Sequence, residues 1–264
     1  MKNYFDLKDQ VAVVTGASTG LGVQMAKALA SQGANIVCVA RRQNLIDEVA
    51  AEIAKEYGVK AIGVRCDITD TDNVNAAVDQ IMEEFGRIDI LINNAGGGSG
   101  KGECNFLERD PEALKNMIDI NLTGSMFCCQ AVGRYMAAAK SGVIINIGSV
   151  AGLIGRDRRM YHRTNKMEQP IEYAAAKGGV ISYTRDLASY MAPYGVRVNS
   201  ISPGGFDKGE PREFVSAYGD MTPLGRMGEL GKELKAAALY LASDASSYVT
   251  GHNLVVDGGF SVWR

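Results

Sequence analysis

The chain has 264 residues, of which 46% are hydrophobic and 22% charged, and its formal net charge is −2. These ordinary values exclude a disordered, collagen-like or coiled-coil chain, and the near-neutral charge gives no general reason to bind nucleic acid. The longest uncharged stretch, 10–26, is too short and too polar for a membrane helix, and the N-terminus lacks the apolar core of a signal peptide. We therefore expect a cytoplasmic protein with no membrane or nucleic-acid partner.

Short β-branched segments alternate with helical patterns along the chain. The first strand is predicted at 10–15 and the first helix at 22–32. Further strands are predicted at 35–40, 61–66, 88–93, 143–147, 197–201 and 253–256, and further helices at 45–57, 72–85, 111–138, 173–191 and 232–241. This alternation predicts an α/β fold, a doubly wound parallel sheet in a single domain spanning 1–264. Three long segments, 96–111, 155–170 and 203–231, are predicted to be irregular.

The five cysteines form no C-x-x-C pair, and only two histidines accompany them. A zinc cluster is therefore not expected, and no metal site is predicted. We interpret the cysteines as small buried hydrophobic residues in a reducing compartment.

A glycine-rich turn, Thr15-Gly-Ala-Ser-Thr-Gly-Leu-Gly22, lies between the first predicted strand and helix. Glycines let a backbone approach a pyrophosphate, and the start of a helix offers unpaired N–H groups. Glycine also occurs in plain tight turns, but the position at the start of a βαβ series favours a dinucleotide site.

Three more motifs follow in order: Asn93-Asn94-Ala95-Gly96 and Asn146-Ile147-Gly148-Ser149 at strand ends, and Tyr173-Ala-Ala-Ala-Lys177 at a helix start. With the glycine-rich turn, they make the sequence resemble the short-chain dehydrogenase/reductase family over about 7–259. The resemblance implies a Rossmann fold, a nicotinamide cofactor, interconversion of a secondary alcohol and a ketone, and a homotetramer. Each motif by itself could be an ordinary turn or helix face, but that explanation does not account for the occurrence of all four in the family's order.

The residues after the second strand bear on cofactor choice. An acidic side chain at this place bonds the ribose 2′-hydroxyl of NAD, whereas arginine accommodates the 2′-phosphate of NADP. Here Ala40 occupies the position of that acid and Arg41 and Arg42 follow, which favours NADP(H). The alternative is that both arginines are solvated surface charges. The resemblance places these residues at the cofactor: Gly16, Ser18, Thr19, Gly20, Leu21, Gly22, Arg41, Arg42, Asp67, Ile68, Asn93, Asn94, Ala95, Gly96, Tyr173, Lys177, Pro203 and Gly204.

Tyr173 and Lys177 stand four residues apart, so they share one face of the predicted helix. A free phenol has a pKa of about 10, and a nearby ammonium lowers this pKa by stabilising the phenolate, which makes tyrosine usable as a general acid/base. The resemblance implies that Tyr173 exchanges the proton and that Lys177 lowers its pKa and binds the nicotinamide ribose. It also implies that Ser149 hydrogen-bonds the reacting oxygen and that Asn121 holds a water for a proton relay. Tyr161 has no lysine four residues later and is not expected to be catalytic.

The sequence departs from the family between Ser149 and Tyr173, which are 24 positions apart, more than is usual. The extra residues fall in a basic insert loop, 155–170, with five basic residues against two acidic ones. The insert could attract an anionic substrate such as a sugar acid, or the cofactor phosphates, and it could equally be a subunit contact or a solvated loop. If the insert faces the substrate, changing Arg158 and Arg159 to Glu should raise the KM for an acidic substrate.

The segment 205–228 corresponds to the family's substrate lid and mixes aromatic with charged residues, which suits either a polyol or an amphiphile such as a hydroxysteroid. The tail aromatics Phe260 and Trp263 are predicted to be exposed on the single subunit and to become buried between subunits in the tetramer. Three stretches resemble the gluconate 5-dehydrogenase branch: Gly225-Arg-Met-Gly-Glu-Leu230, Leu241-Ala-Ser-Asp-Ala-Ser246 and Val256-Asp-Gly-Gly-Phe-Ser261. A sugar acid or polyol is therefore the expected substrate, with a hydroxysteroid or a 3-oxoacyl compound as the alternative.

The alternative of another class is a nucleotide-binding sensor without catalytic activity. The complete set of Asn121, Ser149, Tyr173 and Lys177 disfavours this alternative.

Overall fold

Seven parallel strands form the central sheet in the computed structural model, which describes residues 3–97 and 104–263. The strands are β1 Val11–Thr15, β2 Asn35–Ala40, β3 Ala61–Arg65, β4 Ile90–Asn93, β5 Gly142–Ile147, β6 Val196–Pro203 and, last in the chain, β9 Asn253–Val256. A separate short parallel pair joins β7 Phe206–Asp207 to β8 Gly228–Glu229. The order in the large sheet is β3-β2-β1-β4-β5-β6-β9, so the strand order reverses between β1 and β4, where α/β sheets bind ligands.

Helices cover both faces of this sheet. They are α1 Gly20–Ala30, α2 Gln43–Tyr57, α3 Thr71–Phe85, α4 Pro111–Ile118, α5 Gly124–Ala139, α6 Arg159–Arg163, α7 Ile171–Met191, α8 Arg212–Asp220 and α9 Glu233–Ala242. Apolar residues of α1, α2 and α9 pack against one face of the sheet, and those of α3, α5 and α7 pack against the other. All five residues of β1 are buried, because a strand covered on both faces has no solvent-facing side.

The predicted alternation of strands and helices is confirmed, with differences at particular places. The helix predicted at 111–138 is interrupted between α4 and α5 by a π-helical turn, Asp119–Thr123. The segments predicted to be irregular contain α6, α8 and the β7–β8 pair. No helix within 3–97 and 104–263 is long and apolar enough to cross a membrane. Four of the five cysteines, Cys38, Cys66, Cys128 and Cys129, are buried thiols, and burial raises the pKa of Cys38 to about 12.

Candidate active site

The turn between β1 and α1 depends on glycine at several positions. Gly16 and Gly20 have φ of 68° and 66°, in the left-handed region that glycine adopts without strain. A Cβ on Gly16 would lie 2.8 Å from Cα of Ala95, and one on Gly22 would lie 2.5 Å from the carbonyl oxygen of Gly16. Thr19, at the N-cap of α1, makes no side-chain capping bond, so no side chain at the cap occupies the first N–H groups of the helix. The turn therefore offers an anion-binding helix terminus beside a closely packed backbone.

Thr15 and Asn94 join this turn to the loop after β4. The Thr15 hydroxyl accepts hydrogen bonds from the backbone N–H of Asn94 and of Ala95, each at 3.0 Å. The Asn94 amide donates to the carbonyl oxygens of Thr15 at 3.0 Å and Gly16 at 3.2 Å. Thr15 was not among the predicted site residues, although a threonine at the end of an otherwise apolar buried strand is a signal that could have identified it.

A cavity of about 680 Å³ runs along the carboxyl ends of the central strands. The predicted site residues that line it are Gly16, Thr19, Gly20, Leu21, Asn94, Gly96, Ser149, Tyr173, Lys177, Pro203 and Gly204. The predicted residues outside its lining are Ser18, Gly22, Arg41, Arg42, Asp67, Ile68, Asn93, Ala95 and Asn121. The structure thus brings the glycine-rich turn and the Ser–Tyr–Lys motif to one cavity.

The two arginines after β2 have different partners, and Arg42 is the one that contacts the glycine-rich turn. The Arg42 guanidinium donates to the Ser18 hydroxyl at 3.0 Å. Nη1 of Arg41 lies 4.0 Å from a carboxylate oxygen of Asp67, and the Arg41 side chain is 70% exposed. By contrast, Ile68 is a core residue that packs against Gly124 of α5, where a Cβ would lie 2.8 Å from Cδ1 of Ile68.

Tyr173 and Lys177 lie on the first two turns of α7. Nζ of Lys177 donates to the carbonyl oxygen of Ile147 at 2.7 Å and lies 5.8 Å from the centroid of the Tyr173 ring. Burial lowers the pKa of Lys177 to about 8, because an ammonium is costly to desolvate. Burial also raises the pKa of Tyr173, while a hydrogen bond with Ser149 and the positive charge of Arg156 act in the opposite direction. In the nucleotide-free protein, desolvation outweighs these two effects on the pKa of Tyr173, and the lowering of this pKa by Lys177 stays a prediction.

Ser149 is held close to Tyr173 by backbone contact between the end of β5 and α7. Its hydroxyl accepts a hydrogen bond from the N–H of Ala151 at 3.1 Å and caps a short 3-10 turn. A Cβ on Gly152 in that turn would lie 2.6 Å from the backbone nitrogen of Gly178 in α7. The two segments therefore touch without an intervening side chain.

Asn121 lies in the π-helical turn, and its side chain is engaged with the loop after β4. Its carbonyl oxygen accepts from the N–H of Gly97 at 2.9 Å, and its amide donates to the carbonyl oxygens of Gly97 at 3.1 Å and Met117 at 3.0 Å. A Cβ on Gly96 would lie 2.6 Å from the Asn121 amide oxygen and 3.7 Å from Nζ of Lys177. Asn121 thus holds this loop next to Lys177, and its role in holding a water stays a prediction.

Asn93 does not line the cavity, and the expectation that it would is wrong. It is 4% exposed, and its amide donates to Asn146 at 2.9 Å and to the Cys129 sulfur at 3.1 Å. Asn93 is the last residue of β4, and its amide faces α5 and Asn146, whereas Asn94 lies in the loop after the strand and lines the cavity.

The basic insert lines the cavity, but Arg158 and Arg159, whose reversal was to test whether the insert faces the substrate, form ion pairs within the insert. Arg158 forms an ion pair with Glu168, which also contacts His162 at 2.5 Å, and Arg159 pairs with Asp157 at 2.6 Å. Neither Arg158 nor Arg159 lines the cavity. The proposed reversal of these two residues therefore tests the wrong side chains.

The predicted lid packs over the cavity through an aromatic cluster. Tyr218 of α8 stacks on Phe260 with ring centroids 4.5 Å apart and planes 10° apart, and its hydroxyl accepts from the N–H of Gly205 at 2.5 Å. Phe260 is only 4% exposed, so the expectation that it is a free tail aromatic is wrong: the chain buries it itself. Trp263 is 59% exposed, as expected, and its indole N–H donates to the carbonyl oxygen of Met221 at 3.1 Å.

A buried ion pair supports the start of α7 and was missed from the sequence. Nε of Arg109 donates to a carboxylate oxygen of Glu172 at 2.7 Å, and both side chains are at most 4% exposed. Glu172 directly precedes Tyr173, so the pair fixes the turn that carries the predicted catalytic tyrosine. The two partners are 63 positions apart, which left no local signal in the sequence.

Known proteins resemble this chain over nearly its whole length. A family model described as "Enoyl-(Acyl carrier protein) reductase" matches residues 16–261. A cyclohexanol dehydrogenase of Rhodococcus sp. (strain TK6) is 36% identical over 285 residues, covering 99% of each chain. The chain belongs to the short-chain dehydrogenase/reductase family. A galactitol 2-dehydrogenase (L-tagatose-forming) of Cereibacter sphaeroides is 35% identical, also over 99% of each chain.

The crystal structure of a gluconate 5-dehydrogenase from Burkholderia cenocepacia J2315 in complex with NADP and tartrate has a TM-score of 0.88 to this short-chain dehydrogenase/reductase. It is 32% identical, and the match covers 99% of this chain and 98% of the other. The family resemblance and the doubly wound α/β fold expected from the sequence are therefore confirmed. As a member of this family, the protein is an oxidoreductase that uses a nicotinamide cofactor and acts on CH–OH groups.

Proposed function

We propose that the protein interconverts a secondary alcohol and a ketone with NADP(H), using Tyr173 as the general acid/base. The observation that carries this proposal is the convergence of Tyr173, Ser149 and Lys177 on the cavity that also reaches the uncapped start of α1. A plain structural role explains neither the buried ammonium of Lys177 nor the close backbone approach at Gly16.

The residues of the nucleotide end fit a dinucleotide. The first N–H groups of α1 would hold the pyrophosphate, Arg41 and Arg42 the 2′-phosphate, and Asp67 and Ile68 would flank the adenine. Of the other predicted cofactor residues, Asn94, Ala95 and Gly96 follow the carboxyl end of β4, and Pro203 and Gly204 lie at the carboxyl end of β6. When bound, the nicotinamide supplies or accepts the hydride.

The proton is handled by this chain's own side chains. Tyr173 donates its phenolic proton to the oxygen of a ketone, or accepts the proton of an alcohol in the reverse direction. Ser149 donates a hydrogen bond to the same oxygen, and the ammonium of Lys177 stabilises the phenolate that forms. Asn121 acts as a positioning residue through the loop that it holds, and its role in a water relay belongs to the same proposal.

The lining of the substrate end favours an oxygen-rich substrate. The insert and the lid place Arg156, Asp157, Lys166, Glu168 and Glu210 around the cavity, together with aromatic rings. This polar lining and the polyol and sugar-acid relatives support a polyol or a sugar acid over a hydroxysteroid or a 3-oxoacyl compound. The exposed Trp263, with Val262 76% exposed, supports burial against further subunits in the expected homotetramer.

Replacing Tyr173 by Phe tests the proposal. We expect kcat for a panel of polyols, sugar acids and ketones, followed by NADPH absorbance, to fall about 10²- to 10⁴-fold, with NADPH affinity unchanged. Tyr161→Phe is the matched control, because Tyr161 lines the same cavity without a lysine four residues later. A Tyr173→Phe protein as fast as its parent contradicts the proposal, and cofactor binding without turnover of any compound favours a nucleotide sensor.

A further inference from the structure

Arg156 differs from the other charged residues of the insert in its surroundings. Its guanidinium donates through Nη1 to the side-chain oxygen of Gln169 at 2.9 Å and through Nη2 to the carbonyl oxygen of Pro170 at 3.0 Å. Both of these partners are uncharged. Tyr161 and Arg156 line the same cavity.

The three carboxylates among the cavity-lining residues are already paired with cations. The pairs are Asp157 with Arg159, Glu168 with Arg158, and Glu210 with Lys166. Within the described parts of the chain, the structure pairs Arg156 with no carboxylate. Its positive charge is half-buried, and this burial lowers the pKa of Arg156. Desolvation of the charged guanidinium costs free energy, which an anion bound in the cavity would offset.

The contacts of Arg156 fix where such an anion would bind. A guanidinium has five N–H donors, so its bonds to Gln169 and Pro170 leave donors for a second planar group. Pro170 is the N-cap residue of α7, the helix that carries Tyr173. The guanidinium and the reacting hydroxyl are therefore tied to the same helix start, and the positive charge of Arg156 acts on Tyr173.

We propose that Arg156 binds a carboxylate of the substrate, and that the enzyme acts on a hydroxy acid and its oxo acid rather than on a neutral polyol. A carboxylate suits the site because planar bidentate pairing with arginine is strong and directional. The inference rests on the proposed function and specifies its substrate class. The same guanidinium could instead meet a cofactor phosphate, and the experiment separates the two sources of negative charge.

Binding is measured without turnover, by calorimetry on the NADP⁺-saturated Tyr173→Phe protein. Tartrate and threitol are a matched pair, since they share a four-carbon chain with two inner hydroxyls and differ only in terminal carboxylates or alcohols. We expect tartrate to bind about 10- to 100-fold more tightly, and Arg156→Gln to remove this preference while leaving the affinity for threitol and for NADP⁺ unchanged. Arg163→Gln, which neutralises an exposed arginine of the same insert, should preserve the preference.

Turnover provides the second readout, with gluconate and glucitol as the acid and the neutral compound. Arg156→Gln should raise KM for gluconate about 10- to 100-fold with kcat changed less than about threefold, and Arg156→Lys should restore part of the loss. Added salt should raise the KM for gluconate in the parent and not in Arg156→Gln.

Equal affinity for tartrate and threitol overturns the inference. So does an Arg156→Gln protein that loses affinity for both compounds alike, since that result marks a structural role, or one that loses NADP⁺, which marks a phosphate contact. Failure of the parent to oxidise any alcohol contradicts the proposed function, whereas the tartrate preference and its loss in Arg156→Gln would still establish the carboxylate site.

Discussion

At the nucleotide end of the cavity, formed by 15–22 and 94–96, backbones approach each other directly at glycines and are bridged by hydrogen bonds of Thr15 and Asn94 to backbone groups. At the substrate end, formed by the insert 155–170 and the lid 205–228, charged and aromatic side chains contact one another. Gly16 approaches Ala95 so closely that no Cβ fits between them. In contrast, the insert meets the lid through the Lys166–Glu210 ion pair and through the rings of Tyr161 and Phe214, whose centroids are 5.6 Å apart.

The difference follows from what each end has to recognise. A nucleotide is bound through groups that backbone N–H donors can hold, so glycines and a helix start are sufficient. A particular substrate needs specific charges and shapes, which side chains on variable loops provide. Helix α7 serves both ends, because it carries Tyr173 and Lys177 between them.

The largest expected effect comes from the support of α7. Glu172→Gln removes the carboxylate that faces Arg109, leaving a buried guanidinium without this counter-charge, and should lower the free energy of unfolding by about 3–5 kcal/mol. Denaturant unfolding measures the loss. Glu112→Gln, in an exposed pair with Lys115, is the matched control and should change little. Equal effects of the two substitutions would show that the buried pair does not support the helix.

The next substitution, at Lys177, should raise the free energy of unfolding and not lower it. The folded protein lowers the pKa of Lys177 from its ordinary 10.5 to about 8, so below pH 8 folding has to bury a charged ammonium. Lys177→Met should therefore stabilise the nucleotide-free protein by up to about 3 kcal/mol near pH 7, while activity is lost.

The pH dependence checks the cause of this stabilisation. The gain should shrink as the pH rises through 8 and should vanish near 10.5, because the lysine is then neutral in both folded and unfolded chains. Thermal unfolding from pH 6.5 to 10.5 measures the difference between the two proteins. A difference that does not vary with pH would mean that packing and not charge is responsible.

The two ends of the cavity were not equally predictable. The glycine-rich turn and the Tyr173–Lys177 spacing are local patterns, and the family resemblance that they help to carry implied that both lie at one site. The contacts of Lys166 with Glu210 and of Arg109 with Glu172 join residues 44 and 63 positions apart, and no local pattern indicates them.

Two errors have different physical origins. The sequence could not distinguish Arg156 from the other arginines of the insert, because the ion pairs of the folded chain decide which charge remains unbalanced. The assignment of Asn93 to the pocket could have been avoided, since Asn93 still belongs to the predicted strand 88–93, whereas Asn94 follows the carboxyl end of that strand, where ligands bind.

Gly16 and Gly20 allow the backbone explanation of the nucleotide end to be tested. Both have left-handed φ, but a Cβ on Gly16 meets Ala95 and Asn94 within 3.0 Å, whereas a Cβ on Gly20 meets nothing within 4 Å. Alanine should cost about 1–2 kcal/mol at Gly20 from backbone strain alone, and about 1–3 kcal/mol more at Gly16 from the steric clash. Unfolding of the nucleotide-free proteins measures both values, and equal costs would remove the close approach as an explanation.

The smallest effect belongs to the substrate end. Lys166 lies over the ring of Phe214 at 4.8 Å and pairs with Glu210, and both side chains of the pair are about one-quarter exposed. Lys166→Met should therefore change the free energy of unfolding by less than about 1 kcal/mol, yet raise the substrate KM about two- to fivefold by loosening the insert from the lid. Adding Glu210→Gln should change KM little further, because the first substitution has already broken the pair, and NADPH affinity should stay constant in every variant. A change in NADPH affinity as large as the change in KM would mean that the two ends of the cavity are not built independently.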